Sequence, residues 1–256
     1  MPIFINSFPK SGTHLIDKLL FLWGFSRFNL SLADTSLYGR HYKLKQFIRG
    51  CNWGDCIDLG LFQPTLVSSS WIRRKISSSN PNNFFTGHAR LSPELSMLLN
   101  SFNIPTIYIT RNTADTLLSF IKYFRNSNVS PYSNAISSSD INVSALNLLD
   151  CSSPSLRSFK DSFLLSRQWL FADNTFVLSF EDLIGPQGGG DSSTQYESLS
   201  NLYDWLLTRN IPLEVTRSDA IDIAVDNLFG GTKTFRSGKV GSGITFSNTV
   251  LSKLDF

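Results

Sequence analysis

The stretch 7–14, with the sequence SFPKSGTH, constrains the fold of this chain more than any other segment. A short apolar run at 3–5 precedes it, and a segment with apolar residues at helical spacing follows at 15–22. This order predicts a strand, a tight turn and a helix. Gly12, inside the turn, permits a close approach between the backbone and a ligand. The amides of the turn are therefore expected to point toward the start of a helix.

The residues of this turn are those of an anion site. The N-terminus of a helix attracts anions through its free amides and the positive end of its dipole. Lys10 adds a positive charge, and the hydroxyls of Ser11 and Thr13 add hydrogen-bond donors. The order differs from that of a Walker A loop, G-x-x-x-x-G-K-[ST], because the lysine here comes two residues before the glycine. The stretch predicts phosphate or sulfate binding, with a chance turn as the alternative.

The composition is that of a globular protein. The chain has 256 residues, of which 41% are hydrophobic and 13% aromatic, enough for one large α/β domain over 1–256. A net charge of +3 suits an anionic small ligand and is too small to predict nucleic-acid binding. The three cysteines have no metal-ligand spacing, and no apolar run is long enough to span a membrane. Because the chain begins directly in its first strand, we expect a cytoplasmic protein without a membrane partner.

Two predicted strands end beside residues that could bind a ligand. Residues 83–86 form a short strand before His88, and residues 104–110 form the clearest strand, directly before Arg111. Open α/β sheets bind ligands at the carboxyl ends of their strands. Arg111 and Ser119, two turns along the following helix, could form a phosphate clamp. The alternative is an ordinary surface histidine and arginine.

Other segments are less informative. Residues 25–75 interleave aromatic and basic side chains and are expected to form irregular loops and short helices, part of which could line a pocket. Residues 126–157 contain ten serines and five asparagines in 32 positions, which predicts a mobile loop. That loop is either a lid over an acceptor or an insertion without function. The stretch 230–242, rich in glycine, lysine and hydroxyls, predicts an anion-gripping loop or a flexible basic tail.

These motifs together resemble those of the sulfotransferases that use 3′-phosphoadenosine 5′-phosphosulfate (PAPS). The letters PKSGT at 9–13 resemble the family's 5′-phosphosulfate loop, and the pattern R-N-x-x-D-x-x-x-S from Arg111 resembles its 3′-phosphate segment. The letters FEDL at 180–183 and the loop 230–242 resemble two further family segments. The resemblance implies a three-layer α/β/α fold with a mostly parallel sheet, similar to that of P-loop NTPases.

The resemblance also implies a role for each matching residue. His88, 23 positions before Arg111, corresponds to the family's catalytic base, with His14 as its rival. Lys10 would bond the bridging oxygen of the leaving group. The residues expected to bind the donor are Lys10, Ser11, Gly12, Thr13 and His14 at the 5′ end, Arg111, Ser119, Arg236, Ser237 and Gly238 at the 3′-phosphate, and Phe229 at the adenine.

The chain departs from the family pattern at several positions. Thr86 and Gly87 stand where the family often has Lys-Thr, so that a second lysine is missing. Phe180 replaces a tyrosine whose hydroxyl contacts the nucleotide, and Leu15 replaces a tryptophan that many members have. In the stretch 230–242, which we call the last loop, Ser237 replaces a lysine of the family.

The implied function is the transfer of a sulfuryl group from PAPS to a hydroxyl, or an amine, of a small-molecule acceptor. No metal is expected, because lysine and backbone dipoles supply the positive charge. Two alternatives remain at this point, a small-molecule kinase that uses ATP and Mg²⁺ and a binding protein that has lost catalysis. The sequence indicates neither the acceptor nor the oligomeric state.

Overall fold

A computed structural model of the chain describes residues 1–33, 55–125, 131–151, 156–231 and 239–256. Its central element is a parallel sheet of five strands. These are β1 (Ile3–Ser7), β2 (Ser26–Ala33), β5 (Asn83–His88), β6 (Thr106–Thr110) and β7 (Thr175–Ser179), and two short strands, β3 (Cys56–Asp58) and β4 (Leu66–Ser68), form a separate antiparallel pair. The strand order in the sheet is β2-β5-β1-β6-β7, and every neighbouring pair is parallel. The predicted α/β fold with a mostly parallel sheet is confirmed.

The register of the sheet brings three strand ends together. Asn6 of β1 lies opposite Gly87 of β5, and Ser7 of β1 lies opposite Ile109 of β6. The carboxyl end of the central strand therefore sits between the ends of β5 and β6, which lead to His88 and Arg111. All five residues of β1 are buried, as expected for a parallel strand covered on both faces.

Helices flank the sheet. In chain order they are α1 (Thr13–Leu22), α2 (Ser69–Ser77), α3 (Pro93–Ser101), α4 (Thr113–Phe124), α5 (Ile141–Asp150), α6 (Phe159–Ser166), α7 (Phe180–Leu183), α8 (Ser192–Thr208), α9 (Arg217–Asn227) and α10 (Asn248–Ser252), with 3₁₀ turns at Arg167–Phe171, Pro186–Gly188 and Ser242–Thr245. Asn112 caps α4 by accepting hydrogen bonds from the amides of Ala114 and Asp115. None of these helices, within the described ranges, is both long and apolar enough to cross a membrane.

Among the described residues, three apolar clusters form the core around the sheet. Ile5 and Ile109 pack on one face with α1, α8 and α9, whereas Phe4 and Phe85 pack on the other face with α2 and α3. This division follows from the period of two along a strand. A third cluster, rich in phenylalanine, joins Phe8 of the first loop to α4, α5 and α6.

Two segments differ from the sequence prediction. Residues 126–157 include the helix α5, capped by Asp140, with Ala145 and Leu148 fully buried, so the prediction of a loop is wrong for that part of the range. The many serines outside the helix lowered the apolar fraction of the whole range, although six of the ten residues of α5 are apolar. The range 25–75 includes the edge strand β2, whose Leu30 and Leu32 point into the core at a period of two, as well as β3, β4 and α2. The prediction of loops and short helices is therefore wrong at the three strands and agrees with the short helix α2, while residues 34–54 lie outside the described residues.

Candidate active site

The loop between β1 and α1, residues 8–12, has the geometry of an anion site, and we call it the anion loop. The amide of Ser11 donates to the carbonyl of Phe8 at 3.1 Å, which closes a tight turn. Lys10 and Gly12 both have left-handed backbone angles, with φ of 76° and 114°. The first amides of α1 have no acceptor within their own helix and are therefore available to a ligand. The hydroxyl of Ser11 is buried and has no hydrogen-bond partner among the described residues, which fits an oxygen atom of a bound anion.

Gly12 is required by packing as well as by its backbone angle. A Cβ atom at this position would lie 2.8 Å from Cδ2 of Phe180 and 3.0 Å from Cδ1 of Ile109. From the sequence, the lack of a side chain at Gly12 was expected to leave room for a ligand. In the structure the side-chain direction of this residue faces the aromatic ring of Phe180.

Lys10 lies against an aromatic ring of α4. Its Nζ atom is 4.0 Å from the centroid of Tyr123, a cation–π contact. Tyr123 was not among the predicted site residues, because it lies twelve positions after Arg111 and no motif specifies a residue there. The contact restrains the ammonium beside the loop.

The carboxyl end of β5 holds His88 against Ser7. Nδ1 of His88 lies 3.0 Å from the carbonyl oxygen of Ser7 and 3.2 Å from its hydroxyl. Since a carbonyl oxygen only accepts hydrogen bonds, Nδ1 carries the proton and Nε2 carries the lone pair of the neutral ring. The Ser7 hydroxyl also bonds the hydroxyl of Thr13 at 2.6 Å, which joins the histidine to the anion loop.

A buried amide fixes the backbone beside this histidine. Asn6, fully buried in β1, accepts from the amide of Ala89 and donates to its carbonyl, both at 3.0 Å. Trp169 donates to the same carbonyl at 2.8 Å. A polar residue within an apolar strand was the available sequence signal for Asn6, and sequence reasoning missed it.

The surroundings of His88 keep it neutral. Burial lowers the pKa of His88 from 6.5 to about 4, and the positive charges of His14 and Lys10 add to this shift. The carbonyl of Ser7 opposes it, as does the charge of Asp17. At neutral pH the Nε2 atom is therefore unprotonated.

His14 has a different environment. Its side chain is 45% exposed, and its Nδ1 lies 3.5 Å from Asp17. Arg27 holds the same carboxylate at 3.0 Å and donates to the hydroxyl of Thr86 at 2.7 Å. A guanidinium therefore contacts the residue that stands in place of the family's second lysine, a feature that the sequence motifs do not reveal.

Arg111 connects the loop to the opposite end of the site. Its guanidinium donates to the carbonyls of Lys10 and Lys239, both at 3.3 Å, and its Cζ lies 4.2 Å from the centroid of Phe180. Burial lowers the pKa of Arg111, and the charges of Asp115 and Glu181 oppose that effect. Loop and arginine, which lie about a hundred positions apart, thus form one cationic site.

A family comparison decides the class of this site. The model of the sulfotransferase domain matches residues 1–184, which include the anion loop, His88 and Arg111. The chain belongs to the sulfotransferase family. This is the PAPS-dependent family that its motifs resemble, and the predicted enzyme class is confirmed.

Solved structures share the fold of this sulfotransferase. The mouse sulfotransferase SULT7A1 complexed with PAP (3′-phosphoadenosine 5′-phosphate) is similar over 99% of this chain and 81% of its own, with a TM-score of 0.57 and 17% identity. Retinol dehydratase in complex with androsterone and PAP matches over 99% of this chain and 78% of its own, with a TM-score of 0.58 and 12% identity. The same enzyme in a complex with retinol and PAP matches over 98% and 78%, with a TM-score of 0.53 and 12% identity. No curated protein matches the sequence.

Contacts in the sulfotransferase secure both sides of its last loop. The carboxylate of Asp115, buried in α4, accepts the amide of Gly241 at 2.8 Å and also that of Gly243. A Cβ atom at Gly243 would lie 2.4 Å from the backbone of Ala114, which explains the glycine at this position. Lys18 of α1 donates to the carbonyl of Gly230 at 3.0 Å. Both flanks of the stretch 232–238 therefore attach to helices that begin at the site.

The remaining predicted residues have these positions. Ser119 is partly buried on α4, and Phe229 is partly buried against the core cluster of α1, α8 and α9. Arg236, Ser237 and Gly238 lie outside the described residues. Glu181, which lies in the segment FEDL, accepts from the amide of Asn112 at 2.8 Å.

Proposed function

We propose that this sulfotransferase transfers a sulfuryl group from PAPS to a hydroxyl, or an amine, of a small-molecule acceptor, with His88 as the general base. The observation that carries the proposal is the contact between His88 Nδ1 and the carbonyl of Ser7, because it leaves Nε2 as the proton acceptor. The hydroxyls of Ser7 and Thr13 join this base to the anion loop. A base and an anion site side by side are what an in-line group transfer requires.

His88 receives the proton of the acceptor at Nε2, while Nδ1 keeps its bond to Ser7. The resulting imidazolium is stabilised at Nδ1 by the carbonyl and loses its proton to solvent after the transfer. His14 is a weaker candidate, since its side chain is 45% exposed and its Nδ1 lies against the carboxylate of Asp17. Because the pKa of His88 is low, its ring is unprotonated at Nε2 at neutral pH and can accept a proton.

The anion loop binds the 5′ end of the donor. PAPS, when bound, supplies the sulfuryl group and the leaving phosphate. The amides of Gly12, Thr13 and His14 and the hydroxyls of Ser11 and Thr13 hold its oxygen atoms. Lys10 neutralises the charge that develops on the bridging oxygen. Tyr123 keeps the ammonium of Lys10 beside the loop until it acts.

The 3′-phosphate is held by Arg111 and Ser119 together with Arg236, Ser237 and Gly238. The guanidinium of Arg111 contacts only carbonyl oxygens and a ring among the described residues, so its charge is available to an anion. The attachment of the last loop to Asp115 and Lys18 supports a role for that loop at the same end. Phe229 is the proposed contact of the adenine.

A small-molecule acceptor and one domain over 1–256 are also proposed. Solved structures of the same fold contain retinol or androsterone beside PAP, which supports an acceptor of this size. The fold similarity extends over 98% to 99% of the chain, which supports a single domain. Residues 126–157 and the range 25–75 are the proposed walls of the acceptor pocket.

Calorimetric titration with PAP, with ATP and with ATP plus Mg²⁺ tests the donor. Tight binding of PAP, with weak binding of ATP that Mg²⁺ does not strengthen, is the expected result. Preference for ATP with Mg²⁺ would instead indicate a kinase. Binding of PAP without transfer from PAPS would indicate the binding protein that has lost catalysis, and binding of neither nucleotide would contradict the proposal.

A further inference from the structure

Phe180 lies between the two halves of the donor site. It is the first residue of α7, its side chain is 5% exposed, and its sequence neighbours belong to neither the anion loop nor the 3′-phosphate segment. One part of its ring faces Gly12 of the anion loop, and its face lies 4.2 Å from the guanidinium carbon of Arg111. No other described aromatic ring contacts both of these residues.

The contact with Gly12 is tight. A Cβ at this residue would come within 2.8 Å of the Phe180 ring, so the ring occupies the space that a side chain of the loop would otherwise fill. The left-handed angle of Gly12 and the position of the ring are therefore matched. The absence of a side chain at Gly12 therefore fixes where the ring lies beside Arg111.

The contact with Arg111 orients a charge without neutralising it. No carboxylate lies within ion-pair distance of this guanidinium in the described part of the chain, and its Nε atom is buried without a partner there. The nearby carboxylates of Asp115 and Glu181 are occupied by backbone amides and a hydroxyl. Its hydrogen bonds to two carbonyls are long, at 3.3 Å each. The ring face is thus a principal restraint on the plane of the guanidinium.

We infer that Phe180 is a positioning residue of the donor site: its ring, placed by the glycine at position 12, aligns Arg111 with the 3′-phosphate. The inference rests on the proposed function, because it assumes that Arg111 binds that phosphate. It predicts that Phe180 controls how strongly the enzyme prefers a nucleotide with a 3′-phosphate. A residue with only a packing role would affect all nucleotides alike.

The test compares the affinities for PAP and AMP, which differ only in the 3′-phosphate, by calorimetry. In Phe180→Leu the affinity for PAP is expected to fall about tenfold, the size of one partly desolvated cation–π contact, while that for AMP changes about twofold or less. In Phe180→Tyr, which keeps the ring face, the ratio of the two affinities is expected to stay within about twofold of the wild type. Phe176→Leu is the matched control, since Phe176 packs on the same core cluster and contacts Trp205 instead of Arg111.

Each result has one interpretation. An unchanged PAP/AMP ratio in Phe180→Leu would overturn the inference, whether both affinities fall together or neither falls. If Phe180→Leu does not fold, as judged by circular dichroism, Phe180→Met gives the same comparison with a side chain closer in volume. A wild-type protein that binds AMP as tightly as PAP would contradict the proposed function, and the inference with it.

Discussion

Nδ1 of His88 lies 3.0 Å from the carbonyl oxygen of Ser7, across the carboxyl ends of two neighbouring strands. This contact determines which ring nitrogen carries the proton, and it does so with a backbone atom that cannot itself be protonated. Ser7 also bonds Thr13 through its hydroxyl. A single residue at the end of the central strand therefore orients both the proposed base and the first residue of α1, directly after the anion loop.

The ionisation of His88 is expected to be shifted in the free enzyme. Because burial disfavours the imidazolium, the pKa of His88 is about 4, and one of the three histidine resonances should titrate there instead of near 6.5. An NMR titration measures it, and the resonance that disappears in His88→Gln identifies the ring. A midpoint near 6.5 for that resonance would contradict the proposed environment.

The same shift predicts a pH dependence of stability. The folded state has a lower pKa at His88 than the unfolded state, so the neutral ring contributes stability above pH 6.5 that is lost as the pH falls toward 4. Between these limits the wild type should lose on the order of 3 kcal/mol more free energy of unfolding than His88→Gln. Urea denaturation at both pH values measures the difference. Equal losses of free energy of unfolding in the two proteins would show that the pKa of His88 is not shifted.

Asn6 is expected to stabilise the strand end that carries His88. In Asn6→Ala the buried amide of Ala89 loses its acceptor, which should cost about 1–3 kcal/mol in the free energy of unfolding. Turnover should fall as well, because the position of His88 depends on the next residue. The control is Asn227→Ala, whose amide makes an exposed bond within α9 and should cost at most about 0.5 kcal/mol. An Asn6→Ala protein as stable as this control would contradict the stabilising role of Asn6.

Tyr123 is expected to support catalysis through the contact between its ring face and the ammonium of Lys10. Tyr123→Leu removes the cation–π contact with Lys10 and should lower kcat about tenfold, while Tyr123→Phe keeps the contact and most of the rate. Steady-state transfer from labelled PAPS measures both. Tyr196→Leu, at an exposed position on α8, controls for the loss of a tyrosine. Equal kcat values for the leucine and phenylalanine variants at Tyr123 would argue against this role.

Much of the site could be predicted because its parts are local in sequence. The letters around Lys10 form a loop between a strand and a helix, and His88 and Arg111 directly follow the core of a strand. In a parallel sheet the carboxyl ends of neighbouring strands meet, so these segments were expected to converge. Their order also carries the family resemblance, which the family model confirms over residues 1–184.

The contacts between distant residues could not be predicted in this way. Ser7 meets His88 only because β1 and β5 pair in one particular register, and Phe180 meets Gly12 only because β7 adds to the edge beside β6. The edge strand β2 was missed although its alternation was present, since its outward positions include Arg27 and Asn29. The helix α5 was missed because the serines on either side of it dominate the composition of the range 126–157, whereas the helix itself contains one serine and six apolar residues.

The central claim is that His88 is the base of a PAPS-dependent sulfotransferase, and one pair of measurements on His88→Ala tests it. Sulfuryl transfer from ³⁵S-labelled PAPS to a panel of phenols, alcohols and amines is measured alongside calorimetric binding of PAP, with His14→Ala as the control. We predict that His88→Ala abolishes transfer and leaves the affinity for PAP within about threefold of the wild type, whereas His14→Ala keeps its activity. Near-normal transfer by His88→Ala would contradict the account.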